Sequence, residues 1–314
     1  MTKLVLFRLG QMVLVLLMLS VITFTLMKLA PGDPIWSILK IDEVTVTIEE
    51  KEALRKELLF DQPIHIQYMN WLSNLLRLDL GNSFISQQPV TKEVASRILP
   101  TLYLTIGGLI VMMSIALVLG ILAAVYQNRW IDHVSRLLAF LGASVPTFWL
   151  GFILIYVFSV RLALLPAIEY GSIKNLILPS FTLGLGLAAV YARLLRAGLL
   201  ESYSQEYIRA ARARGLGEWR ILRVHALRSA LLPVITMFGM SFGSLLGGSV
   251  VVEVIFAYPG LGKLAVDAIF KRDYPIIQGY ILFTGVVVVF INLLVDLSYR
   301  FLDPRIRYGK GEQK

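Results

Sequence analysis

Cysteine is absent from this chain of 314 residues, and charged side chains are scarce. Asp, Glu, Lys and Arg make up 16% of the residues, whereas hydrophobic residues make up 57%. Without cysteine there are no disulfides, no thiolate metal ligands and no thiol nucleophile. The low charge and high hydrophobicity are typical of an integral membrane protein rather than a soluble domain.

Catalytic and nucleotide-binding motifs are also missing. The fragment nearest to a P-loop, Gly260–Leu264, lacks the first glycine and has leucine where a hydroxyl would hold magnesium. Three histidines, His65, His133 and His225, are too far apart in sequence to form a paired metal-ligand motif. No serine lies in a G-x-S-x-G sequence. We therefore expect no catalytic residue, no metal site and no cofactor in this chain.

Long uncharged stretches are what the sequence has instead. Windows of at least 18 residues without Asp, Glu, Lys or Arg lie between Arg8 and Lys28, Arg97 and Arg129, Arg136 and Arg161, Lys174 and Arg193, Arg228 and Glu253, and Asp273 and Asp296. A helix of about 20 residues crosses a hydrocarbon core of roughly 30 Å. No period-two alternation indicates a barrel. The sequence predicts an all-α integral membrane fold with six transmembrane helices, near 8–28, 99–126, 137–160, 175–195, 233–256 and 276–298.

The basic residues predict the orientation of these helices. With both termini cytoplasmic, the inner segments hold 17 Lys and Arg against 6 Asp and Glu, whereas the outer segments hold 13 of each. Because inner loops of membrane proteins are enriched in Lys and Arg, an N-in and C-in topology is favoured. This bias also explains the net charge of +9, so we expect no nucleic-acid partner.

Three regions follow from these spans. Residues 1–30 form an N-terminal segment with a retained first span, and 31–98 an extracytoplasmic segment. Residues 99–314 form a five-helix core with a cytoplasmic loop at 198–232. In the outer segment, Glu49–Phe60 and Ile64–Leu80 have amphipathic helical patterns, the second with interfacial aromatic residues. These helices either cover the membrane surface or contact a substrate-delivering partner.

Several residues within the spans have two interpretations. Leu99-Pro100-Thr101 places a proline in the first turn of the second span. Pro146, near Phe148 in the third span, either kinks the helix for packing or bends it along a translocation path. Glu253, in the fifth span, either accepts hydrogen bonds from a loop or faces that path.

Other residues of the spans suggest packing and interfacial roles. Arg193 and Arg196 extend to the inner interface, or else serve a gate. Asp296 is expected to pair with an arginine near the inner face. A stripe of small residues for close helix–helix contact is formed by Gly239, Gly243 and Gly247.

An arginine-rich segment, Glu201–Ile235, interrupts the apolar runs. Tyr207, Ala210, Ala211 and Arg214 fall at i, i+3, i+4 and i+7, on one side of a predicted helix. Gly215 and Gly217 end that helix, and Leu232-Pro233 opens the next span. Its simplest interpretation is a solvated basic loop.

The order of alanine pair, glycine, basic helix and Leu-Pro resembles the cytoplasmic EAA loop of ABC importer permeases. In that family the loop helix docks on an ATPase subunit. The resemblance is to the dipeptide, oligopeptide and nickel branch, although Arg209 stands where the general motif has an acidic residue. It implies a type I importer-like fold whose coupling helix carries these docking residues: Glu206, Tyr207, Arg209, Ala210, Ala211, Arg214, Gly215 and Leu216.

Further stretches extend the resemblance over nearly the whole chain: Ala30–Pro34, Leu59–Pro63, Ser144–Gly151, Glu253–Gly262 and Leu302–Arg307. The chain is similar to the first of two permease subunits, and Ile269–Pro275 looks nearest to nickel or metal-chelate members. The resemblance implies a second permease subunit, two ATPase subunits that hold ATP and magnesium, and an extracytoplasmic binding protein, in a prokaryotic inner membrane. The alternative cargoes are dipeptides or oligopeptides. An ATP-independent channel or carrier would need a relay of several buried charges and an internal inverted repeat, whereas the spans hold only Glu253 and Asp296 and show no clear repeat. A membrane enzyme would need clustered polar residues within the spans, which are missing.

Overall fold

The computed structural model describes residues 2–29, 52, 61–168 and 170–302. Their regular structure is helical, apart from one isolated bridge between Asn82 and Pro89. The helices are α1 Thr2–Leu29, α2 Ile64–Leu76, α3 Val90–Val125, α4 Trp130–Ser144, α5 Thr147–Leu154, α6 Ile173–Tyr203, α7 Glu206–Ala213, α8 Glu218–Arg220, α9 Leu227–Ile255, α10 Leu261–Lys271 and α11 Tyr274–Leu302. Short π-helical segments, Ile155–Arg161 and Ile221–Ala226, continue α5 and α8. Except for residue 52, the predicted helix Glu49–Phe60 lies outside the described residues.

Long apolar helices account for most of the described chain. Four are long and apolar enough to cross a membrane: Gly10–Leu29, Val90–Val125, Ile173–Tyr203 and Tyr274–Leu294. The bent pair made by α4 and Thr147–Arg161 brings the number to five if it forms one span, and Ser241–Ile255 is a shorter apolar helix. The all-α membrane fold is thus confirmed. Six crossings and the N-in, C-in topology stay predictions.

The third predicted span is not one helix with a kink. Its two halves are bent by 102° at the break between Ser144 and Thr147. Val145, directly before Pro146, has extended backbone angles of −78° and 123°, because the proline ring disfavours helical angles in the residue that precedes it. Since Pro146 also has no N–H to donate, the first helix ends and a second one begins. The kink expected at Pro146 is therefore a complete break between two helices.

Two other prolines lie inside helices that were expected to begin at them. The helix α3 begins at Val90, where the Pro89 carbonyl accepts from the Lys92 N–H at 3.0 Å, so Pro100 lies well inside it. Pro233 likewise lies inside α9. At Pro100 and Pro233 the helix continues on both sides of the proline, which avoids exposing further backbone polar groups in an apolar environment.

The chain folds into two compact units. The first comprises Met1–Leu99 and Pro259–Phe290, and the second Pro100–Tyr258 and Ile291–Lys314. In the first unit, the rings of Tyr68 and Trp71 on α2 lie 5.4 and 5.6 Å from that of Phe24 on α1. These aromatic side chains therefore pack on a neighbouring helix, and their position at the lipid headgroups stays a prediction.

The second unit has a core built mainly on α3, α6 and α9. On α6, Gly184 allows a close approach to α3, because a Cβ there would overlap the Gly108 carbonyl oxygen. Two glycines of the stripe predicted on α9, Gly243 and Gly247, have no such contact with the described atoms. Among the described atoms, none lies within 4 Å of a Cβ placed on Gly243 or Gly247, and the surroundings of Gly239 are outside the description. Close helix–helix contact within this chain is therefore made at other glycines, such as Gly184.

Candidate functional site

The helix α7 is a short, separate element between two long helices. Ser204 and Gln205 alone join it to α6. It contains alanine and arginine residues, which favour helix, with Glu206 in its first turn and Arg212 in its last. These charges suit the positive and negative ends of the helix dipole. The sequence of the arginine-rich segment therefore specifies this helix locally.

Gly215 ends α7 through its backbone. It has φ +77°, a left-handed angle that side chains other than glycine seldom adopt. Its N–H donates to the Arg212 carbonyl at 2.9 Å, and the Leu216 N–H donates to the Ala211 carbonyl at 3.2 Å. This pair of hydrogen bonds is the Schellman motif, which satisfies carbonyl groups at the end of a helix. Gly215 thus fixes the direction in which the chain leaves α7.

One side of α7 is buried in the second unit. The side chains of Ile208 and Ala211 are 0% exposed and belong to the core cluster that contains Leu199, Ile221 and Leu222. Burying an isoleucine side chain stabilises a fold by about 1.5–3 kcal/mol. These contacts attach α7 to the end of α6 and to the segment before α9.

The free side of α7 differs in part from the side predicted. Successive residues are about 100° apart around a helix, so the residues most nearly opposite Ile208 and Ala211 are Glu206, Arg209, Ala210 and Ala213. Glu206 and Arg209 are 86% and 70% exposed and form an ion pair of 2.9 Å. Ala210, Arg214 and Gly215 are exposed as well, and Leu216 is half-buried. Ala211 is inaccessible to a partner, and Ala213 was missed because its exposure depends on how the helix is seated.

An ion pair closes the turn that follows α7. Arg212 donates from Nε to one carboxylate oxygen of Glu218 at 2.7 Å and from a terminal nitrogen to the other at 3.2 Å. These hydrogen bonds hold the pKa of Glu218 below its ordinary value and raise that of Arg212. The two-point geometry restricts the turn more than a single contact would.

Tyr207 flanks the free side and borders a groove. Its hydroxyl lies 2.6 Å from the Ser202 hydroxyl on α6, and its side chain is 42% exposed. The groove beside it has a volume of about 460 Å³ and is also lined by Val224, His225, Arg228, Ser229 and Leu232. Tyr207 therefore connects α7 to the end of α6 and leaves part of its ring accessible.

A buried ion pair joins α4 to α6 near this region. Asp132 is 0% exposed, and Arg196 donates to both of its carboxylate oxygens, at 3.0 and 2.9 Å. Arg196 was expected to extend to the interface or to serve a gate, so its partner is a finding of the tertiary structure. No sequence motif around Asp132 indicated its pairing with Arg196.

The translocation-path candidates differ in exposure. Pro146 and Phe148 are exposed at the bend, whereas Glu253 is 0% exposed and accepts from the Thr101 hydroxyl at 2.7 Å. The buried hydrogen bond favours the structural interpretation of Glu253, with the donor Thr101 on α3 rather than on the loop that was expected. The side chain of Asp296 lies outside the described residues.

These features define a class of protein. Long apolar helices with a rigid, partly exposed helix between two of them, and no group of three metal-ligating residues among the residues described, fit a membrane permease subunit. The chain belongs to the binding-protein-dependent transport system inner membrane component family, whose profile matches residues 116–308. The profile for the N-terminal part of such components matches residues 1–105. This confirms the resemblance read from the sequence: the chain is an ABC importer permease, an integral inner-membrane protein.

Sequence similarity to known permeases extends over nearly the full chain. The chain is 43% identical over 304 residues to the glutathione transport system permease protein GsiC of Salmonella choleraesuis (strain SC-B67), which covers 97% of this chain and 98% of that protein. It is 44% identical over 301 residues to the GsiC protein of Escherichia coli (strain K12), covering 96% and 97%. Permeases of this kind are not themselves catalytic, and the importer to which they belong implies ATPase and binding-protein partners.

Solved structures give the same fold. A chain of the inward-facing MetNI methionine ABC transporter superposes with a TM-score of 0.57 at 21% identity, covering 68% of this chain and 97% of that one. An amino acid ABC transporter with histidines gives 0.53 at 18% identity, covering 67% and 94%. At these identities the likeness extends to the fold alone. The channel, secondary-carrier and enzyme alternatives have no support from these comparisons.

Proposed function

We propose that α7 is the coupling helix through which ATPase subunits drive this permease. The observation that carries the proposal is its two-sided geometry. Ile208 and Ala211 are fully buried in the chain, while Glu206 and Arg209 on the opposite side are largely exposed. A helix anchored in this way transmits a displacement of its free side to α6 and α9, because packed side chains yield little.

Transport then proceeds by alternating access. Two ATPase subunits, which hold ATP and magnesium, close on nucleotide and move α7, and the permease pair opens to a binding protein on the outer side. Hydrolysis returns it to the inward-open state. Nucleotide shifts this equilibrium only by as much as its contacts differ between the two states. The arginine-rich segment lies on the ATPase side in this scheme, in keeping with the N-in, C-in prediction.

We propose short peptides of the glutathione class as the cargo. The support is the 43% and 44% identity to glutathione permeases over almost the whole chain. The nickel or metal-chelate prediction rested on the short chain and on Ile269–Pro275, and the comparisons give it no support. The exposed bend at Pro146 and Phe148 remains our candidate for the part of this chain that borders the path.

Uptake into proteoliposomes tests the cargo. The full complex with its binding protein is supplied with ATP and labelled glutathione, a labelled dipeptide, or labelled nickel with and without a chelator. We expect ATP-dependent glutathione uptake that excess dipeptide reduces only in part. Nickel uptake that neither peptide suppresses would overturn the peptide assignment and leave the coupling proposal standing.

A substitution on the free side of α7 tests the docking role. Ala210→Arg adds bulk and charge to an exposed position of good helix propensity. We expect the variant to insert normally but to lose co-purifying ATPase subunits and ATP-dependent uptake. Ala95→Arg makes the same change at an exposed alanine of α3 and should retain both. If Ala210→Arg retains the ATPase subunits and transports normally, α7 is not the docking element.

A further inference from the structure

The carboxylate of Asp132 is enclosed by donors from two helices and a loop. Arg196 of α6 donates to both oxygens, and the Asn128 N–H donates to one of them at 3.0 Å. Arg136, one turn further along α4, lies 3.2 Å from the other oxygen. A charge removed from water in this way adds little net stability, but its geometry is strict. The pair is thus better suited to fixing the position of α4 relative to α6 than to stabilising the fold.

The rest of the contact between α4 and α6 has no comparable constraint. Its other buried residues on α4 are Ser135, Ala139 and Gly142, which together with Asp132 form one small-residue stripe. A Cβ on Gly142 would only reach ordinary contact with Leu185, at 3.4 Å. Small side chains give a smooth surface. Van der Waals contacts along such a surface fix only weakly how far α4 is shifted along α6. The Asp132–Arg196 pair supplies the directional contact that the stripe lacks.

Arg196 lies close to the coupling helix along α6. It lies seven positions before Tyr203, the last residue of α6, which corresponds to about 10 Å of helix. Between Arg196 and the end of α6, Leu199 shares a core cluster with Ile208 of α7. The Ser202 hydroxyl lies 2.6 Å from the Tyr207 hydroxyl of α7. The end of α6 and α7 therefore form one packed body, and Asp132 ties α4 to that body.

We infer that Asp132 and Arg196 form a register lock that transmits displacement of α7 to α4 and onward to the bend at Pro146. The inference rests on the proposed coupling role of α7. When α7 moves the end of α6, the two-point ion pair moves the start of α4 with it. Without the pair, α6 slides along the smooth stripe and part of the displacement is lost before it reaches the bend.

A double substitution tests the lock without leaving a buried charge unpaired. Asp132→Asn combined with Arg196→Gln removes both charges and keeps hydrogen-bonding groups of similar size. The variant is assembled with its permease and ATPase partners in proteoliposomes. We expect assembly and basal ATPase activity close to wild type, and stimulation by the loaded binding protein reduced about tenfold, within the usual range of coupling between sites. Arg196→Lys, which keeps the charge but not the two-point geometry, should give intermediate stimulation.

The control is Asp267→Asn, which makes the same change in the more exposed Lys263–Asp267 pair of α10 and should leave stimulation unaltered. Full stimulation in the double variant would overturn the register lock. So would a proportional loss of basal and stimulated activity, which is what a purely structural role predicts. If Ala210→Arg keeps full stimulation in the same assay, the coupling role of α7 fails and the lock fails with it. The lock and the coupling role on which it rests are thus distinguished by these two variants.

Discussion

Substitutions at Gly215 separate the backbone role of this residue from a docking role. Gly215 has φ +77°, and no described atom lies within 4 Å of a Cβ built on it. A left-handed angle costs an ordinary L-residue about 1–2 kcal/mol, whereas asparagine tolerates it better. Gly215→Ala and Gly215→Glu should therefore lower the free energy of unfolding by similar amounts, about 1–2 kcal/mol, and Gly215→Asn by less.

The docking role adds an effect that differs among these variants. The Glu side chain extends from an exposed position next to the free side of α7, whereas Ala adds only a methyl group. We expect Gly215→Ala and Gly215→Asn to retain most of the binding-protein-stimulated ATPase activity, and Gly215→Glu to lose it. The turn stays formed in all three, because Ile208 and the Arg212–Glu218 pair hold it independently.

Two measurements on each variant check this expectation. The thermal midpoint of the purified permease in detergent reports the backbone cost, and stimulated ATPase activity of the assembled complex reports docking. Equal stimulation in Gly215→Ala and Gly215→Glu, whether retained or lost, would refute the assignment of this position to the docking surface. A thermal midpoint unchanged in Gly215→Ala would refute the left-handed turn itself.

Two more predictions concern packing and pH. Gly184→Val should lower the thermal midpoint and the yield of folded protein, because the valine side chain would meet the Gly108 backbone. Overpacking of this kind costs about 1–3 kcal/mol. A stable Gly184→Val variant would mean that α3 and α6 are not in close contact. The lowered pKa of Glu218 means that its pair with Arg212 stabilises the fold above the ordinary carboxyl pKa of about 4.3, and that this contribution is lost as the pH falls through the lower folded value. Wild type should therefore have a slightly higher thermal midpoint than Glu218→Gln at pH 7, and this advantage should shrink as the pH falls below the ordinary carboxyl pKa. An advantage that does not change with pH would contradict the ion pair.

Several features of this protein follow from the sequence alone. Uncharged stretches such as that between Arg97 and Arg129 specify apolar helices, because lipid leaves a backbone no other way to satisfy its polar groups. The alanine and arginine residues of α7, followed by Gly215, specify a helix and its end, since both are set by neighbouring residues in the chain. Local chemistry was enough for these features, and the family resemblance rested on the same stretches.

Only the tertiary structure decided which sides of those helices are buried and which residues meet. Ala210 and Ala211 are adjacent in sequence and chemically identical, yet one is exposed and the other is 0% exposed, because the core around Ile208 sets the rotation of α7. Asp132 and Arg196 are 64 residues apart, so no local pattern relates them. Pro146 separates two helices while Pro100 lies within one, since the cost of a proline depends on what its surroundings offer the backbone. Rotation, long-range pairing and tolerance of proline are properties of the packed chain, which is why periodicity and composition did not determine them.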